Sequence, residues 1–155
     1  MFSSRHLFAV GTVFAITLIS LLGSTVRADD RYQRYFHGAY RACSDRFPPD
    51  TVSASLDYAA AREDCYADQV RRALAMLPPD SPQLMVGALQ AAPDYAHVTF
   101  DAALAAGVDP YFAVTAATRT LPDYDRTFAS RAIARGADPS QVTEATAAGH
   151  RYEKH

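Results

Sequence analysis

An all-α fold is predicted by three observations. Apolar residues recur in steps of three and four, the period of one helix face. Proline and aspartate open segment after segment, and glycine follows the longer ones. The downstream half also repeats itself at a fixed offset of 29 residues.

The first segment stands apart from the rest. Met1 to His6 carry Arg5, an apolar run follows from Leu7 to Leu22, and Gly23 to Ala28 form a small-residue exit. This order is that of a secretory signal peptide over residues 1–28, cut between Ala28 and Asp29. The apolar core of 16 residues includes Gly11, Thr12, Thr17 and Ser20 and falls short of a membrane span, which needs about 20 residues. Cleavage leaves 127 of the 155 residues, enough for one domain. Arg5 and Arg27 go with the leader, so 13 basic residues remain against 17 acidic ones, a net charge of −4. Such a surface, with a single lysine at Lys154 and no basic run, argues against nucleic acid as a partner. No stable membrane insertion is expected after cleavage. The predicted location is the periplasm or the secreted fraction.

The first mature helix is read from Tyr32, Tyr35, Phe36, Ala39, Tyr40, Cys43 and Phe47, which share one stripe. Phe47-Pro48-Pro49 ends it, because the residue before proline is pushed out of helical geometry. Ser53 or Ser55 caps a second helix that runs to Leu77, where Pro78-Pro79 stops it. Cys43 and Cys65 lie 22 positions apart, one on each helix. An even cysteine pair in an oxidising compartment predicts a disulfide. Closing a loop of that size removes about 3 kcal/mol of unfolded-chain entropy on the simple model. Residues 29–78 therefore read as a stapled helical hairpin.

Residues 79–149 carry the repeat. Pro93-Asp94-Tyr95 returns as Pro122-Asp123-Tyr124, Gly107 as Gly136, Asp109-Pro110 as Asp138-Pro139, and Ala116 as Ala145. Asp80 falls on the same lattice one step earlier, followed by Ser81-Pro82. Prolines 82, 93, 110, 122 and 139 each suit the first helical position, where the missing N–H costs nothing. Asp109 and Asp138 are N-caps, whereas Asp94 and Asp123 place negative charge in a first turn. Gly107, Gly136 and Gly149 are expected to end helices. Alanines such as Ala102, Ala103, Ala116, Ala117 and Ala132 let short helices approach closely, with anchors at Leu84, Leu89, Phe100, Val114 and Phe128. The predicted architecture is short antiparallel helix pairs packed on the hairpin as one domain. It takes the form of an α-solenoid-like stack or a compact helical globule. A flexible tail is expected over 150–155.

Chemistry-bearing residues give no catalytic or cofactor pattern. His37, His97, His150 and His155 lack ligand spacing, so no metal is expected, and there is no phosphate loop or nucleophile elbow. Glu63, Asp64 and Asp68 oppose Arg62, Arg71 and Arg72 on a solvated helix face. Tyr32, Tyr35, Phe36 and Tyr40 adjoin Arg31, Arg34 and Arg41; the spacing favours burial over a binding surface. The expectation is a non-enzymatic binding or scaffold protein, with no cofactor. Its helical repeats would contact a protein or peptide partner through Tyr111, Phe112 and Tyr124, in export or cell-surface assembly. The rival readings are a carrier of a small apolar ligand and an enzyme whose site assembles only in three dimensions.

Overall fold

The computed structural model describes residues 30–48 and 55–151. The leader, the Ala28–Asp29 cut, Ser53 and residues 152–155 lie outside the described residues. Among the described residues the chain forms seven α-helices and no strand. These are α1 (Asp30–Arg46), α2 (Ser55–Met76), α3 (Ser81–Ala91), α4 (Ala96–Ala105), α5 (Pro110–Thr120), α6 (Asp125–Ala134) and α7 (Pro139–Arg151).

The helix boundaries follow local chemistry, with two departures from expectation. Asp109 caps α5, its carboxylate accepting from the Phe112 N–H at 2.8 Å. Asp138 accepts from the N–H groups of Ser140 and Gln141 at 2.9 and 3.2 Å at the start of α7. Gly107 and Gly136 have φ of 87° and 95° and close α4 and α6. In each case the next N–H reaches back across the turn, Val108 to Ala103 O and Ala137 to Ala132 O, both at 3.1 Å. This paired closure needs a left-handed residue, which glycine adopts without steric cost.

The first departure concerns prolines. Pro93 and Pro122 open single 3₁₀ turns (Pro93–Tyr95 and Pro122–Tyr124), and the α-helices begin only afterwards, at Ala96 and Asp125. Pro82 is likewise the second residue of α3, behind Ser81. Asp80 closes the 3₁₀ turn Pro78–Asp80, and its carboxylate accepts from the Tyr32 hydroxyl at 2.6 Å, tying α1 to the turn before α3. The second departure is Gly149, which does not end a helix. It is buried inside α7, which continues through His150 to Arg151, so the expected tail begins in helix. A Cβ at Gly149 would lie 2.7 Å from Thr118 Cβ and 2.9 Å from Thr115 O, so the glycine is there for close approach to α5.

Packing alternates along the chain. α1 packs most extensively on α3 and α5 on α7; α3 also meets α5, α2 meets α4 and α4 meets α6. Each helix also touches its sequence neighbour. Cys43 and Cys65 form the disulfide between α1 and α2, with Cα atoms 5.8 Å apart. On α1, Phe36 and Cys43 are buried and Tyr32, Ala39 and Tyr40 pack partly against the core. Tyr35 departs from the expected burial at 47% exposed. It is one residue before Phe36, hence about 100° round the helix and at the margin of the stripe. α3 is the most enclosed helix, with Leu84 to Leu89 all buried. Tyr66 is enclosed between α1 and α3, its hydroxyl donating to Ala88 O at 2.8 Å. Burial there holds the Tyr66 phenol far above its ordinary pKa.

Candidate functional site

Two surface grooves meet at Phe112. The first, about 430 Å³, runs between α5 and α7 and is lined by Tyr111, Phe112, Gln141, Glu144, Ala148 and Arg151 among others. The second, about 350 Å³, lies over the turns before α3 and α5, with Pro78, Pro79, Pro82, Val108 and Phe112 in its wall. Phe112 is 39% exposed, although its own N–H is held by the Asp109 cap. The cap therefore fixes the backbone that carries the ring. A large aromatic left in water on a rigid first turn costs little conformational entropy to bind against.

Tyr111 has a second duty. Its hydroxyl accepts from the Asp138 N–H at 3.1 Å, which bridges the start of α5 to the start of α7. Its ring still lines the first groove. Thr115 adds a further tie, its hydroxyl lying 3.1 Å from Ala145 O and 2.9 Å from Tyr111 O. The Asp138 carboxyl is held below its usual range, first by the Ser140 hydroxyl and then by the N–H groups of Gln141 and Ser140.

Tyr124, the third residue expected at the site, is elsewhere. It sits in the 3₁₀ turn beyond the C-terminal end of α5 and stacks on Phe128, with ring centroids 6.2 Å apart. Phe128 in turn packs on Phe100 at 5.0 Å. Tyr111 and Phe112 are thus brought together, and Tyr124 belongs to the packing between α4 and α6. The α7 side of the groove was not foreseen. Gln141, Glu144, Ala148 and Arg151 follow steps of three and four, so the spacing was legible, but a polar helix face carries no mark of what it stands beside.

Other polar bonds cross between helices elsewhere in the fold. His150 on α7 lies 3.0 Å from the Asp125 carboxylate at the start of α6, and His97 on α4 lies 2.7 Å from Glu63 on α2. The hydrogen bond from His150 is the main reason the Asp125 carboxyl is held below its usual range. Arg131 on α6 pairs with Asp101 on α4. Among the described residues, no three His, Cys, Asp or Glu side chains converge as a metal site.

Comparison with known proteins finds no matching family model, curated protein or solved structure. The site must be read from its own chemistry. The first groove presents apolar surface at Phe112 and Ala148, an amide at Gln141, and opposite charges at Glu144 and Arg151. Seven residues separate those two charges on α7, about 10 Å along the axis. A lining of that kind offers apolar contact, hydrogen bonding and charge pairing.

Proposed function

We propose that this is a periplasmic or secreted, non-enzymatic binding protein whose stacked helix pairs present the Phe112 grooves to a protein or peptide partner. The carrying observation is the exposed Phe112 ring at the junction of two grooves, held by the Asp109 cap. An extended occupant crossing from one groove to the other would bury that ring, and buried aromatics dominate most interfaces.

The stack itself is a reading of this kind. It is supported by element positions: α3, α5 and α7 start at 81, 110 and 139, and α4 and α6 at 96 and 125, all 29 residues apart. It is also supported by the packing order, in which odd-numbered helices lie side by side and even-numbered ones do likewise. Two layers arranged so are the layout of an α-solenoid. Export is supported by the disulfide. No helix among the described residues is long and apolar enough to cross a membrane.

The test is site-specific photo-crosslinking in the native host. A photoreactive phenylalanine analogue at position 112 should give one discrete adduct, and the same group at Ser130 on α6 should not. With the photoreactive group moved to Gln141 across the groove, Phe112→Asp should abolish capture while leaving the melting temperature unchanged. Identical adducts from 112 and 130, or none from 112, would reject this reading. Mass spectrometry of the purified protein checks the leader, for which an N-terminus at Asp29 is expected.

A further inference from the structure

The outward face of α1 is the feature that neither the fold nor the Phe112 grooves explain. Among the described residues five glycines occur, and four have a structural reason. Gly107 and Gly136 need positive φ, while Gly87 and Gly149 let another helix come within contact of their backbone. Gly38 has neither: it sits inside α1, its φ is not positive, and a Cβ there would meet nothing within 4 Å. Glycine inside a helix costs stability relative to alanine. A residue that breaks a local rule without a compensating contact points to function.

What surrounds Gly38 gives that function a chemistry. Tyr35, Gly38, Ala42 and Asp45 fall in steps of three, four and three, and all four are exposed. This is the spacing of a seam made to receive a second helix, and the small pair Gly38 and Ala42 allows a close backbone approach. Beside the seam lies a groove of about 450 Å³ between α1 and α2, lined by Tyr35, Gly38, Ala42, Arg46 and Gln69 and floored by the Cys43–Cys65 bridge. Arg34 and Arg41 border the seam on its other side, both exposed and, among the described residues, in no ion pair. α1 as a whole carries four arginines against Asp30 and Asp45, within a chain whose net charge is negative. Residues flanking a helix seam select the partner by charge.

We infer that α1 is a docking face for an acidic amphipathic helix of another protein, seated over Gly38 and Ala42 with its carboxylates toward Arg34, Arg41 and Arg46. A second copy of this chain is disfavoured as occupant, since two such faces would bring arginine against arginine. The face is distinct from the Phe112 grooves, so either proposal stands or falls without the other.

The probe is a fluorescent synthetic helix about four heptads long, with Ala and Leu on its seam and Glu at the flanking positions. Its twin carries Lys in place of Glu. Anisotropy with the purified protein should show the Glu peptide binding at least tenfold tighter than the Lys peptide at low salt. Gly38→Leu, which fills the seam, and the double variant Arg34→Glu/Arg41→Glu should each weaken it tenfold or more. Gly38→Ala should raise the melting temperature, and Gly38→Leu should leave it no lower than the parent, which shows that lost binding is not lost folding. Absence of binding, equal binding of the two peptides, or binding unchanged by Gly38→Leu would overturn the inference. Sedimentation showing self-association that Gly38→Leu abolishes would overturn it too, by making the occupant a second copy.

Discussion

The two closest helix pairs, α1 with α3 and α5 with α7, are built on the same device and secured differently. Each has a buried glycine inside a helix that admits its neighbour: Gly87 of α3 against Tyr32 and Gln33, and Gly149 of α7 against Thr115 and Thr118. Around Gly87, α1 is further held by the disulfide to α2, by the Tyr32–Asp80 bond and by Phe36 and Tyr40 packing on Tyr66. Around Gly149 there are alanines, the Thr115 and Tyr111 hydrogen bonds, and the His150–Asp125 pair. Bulk and a covalent staple secure the first pair; closeness and polar ties secure the second. Dispersion forces fall off steeply with separation, so a pair that relies on closeness is the more sensitive to a single added methyl.

The comparison is broken most forcefully at the staple. Replacing both Cys43 and Cys65 with alanine should cost about 3 kcal/mol in urea unfolding. Hydrogen exchange should rise first in α1 and α2, with α5 and α7 the less affected. Equal loss of protection in α7 would mean that the two pairs are not separately secured. Next, Gly149→Val should cost about 2–3 kcal/mol by overpacking, because its Cβ would meet backbone at Thr115 O as well as Thr118. Gly87→Val, which meets Tyr32 Cβ at 2.9 Å and Gln33 N at 3.1 Å, should cost about the same in the reduced protein. A smaller loss in the disulfide-bonded form would show that the staple shields its pair.

Smaller effects sharpen the contrast. Asp109→Ala should cost about 1 kcal/mol by uncapping α5, and crosslinking from position 112 should fall with it, since the cap places Phe112. Acid should act on the α5–α7 side. Asp125 and Asp138 are both held below their ordinary pKa of 3.8, so the stability they contribute is present above about pH 4 and lost as pH falls through the lowered values. Asp125→Asn should therefore flatten the loss of stability below about pH 4. An unchanged acid limb would show that the His150 bond contributes nothing to folding.

Much of this organisation was legible from residues alone, and what was legible has a common cause. The helical class, the caps at Asp109 and Asp138, the closures at Gly107 and Gly136 and the cysteine bridge depend on chemistry within a few residues or on cysteine pairing. What was not legible has a cause as well. Asp80 lies in its turn, but its carboxylate also holds Tyr32, 48 positions away. Tyr124 had the same Tyr-rich promise as Tyr111, but it lies at the opposite end of α5 and is spent on Phe128.

The sequence by itself determined that the chain is helical, where α5 and α7 begin and where α4 and α6 end, because spacing, capping and backbone freedom act over single turns; the cysteine pair followed from there being only two. Only the tertiary structure decided that Gly149 is a contact and not a terminator, that Tyr35 faces water, and that α7 supplies half of the Phe112 groove. Those outcomes depend on which helix lies beside which, and that is settled by side chains fitting together across distances that no local pattern encodes.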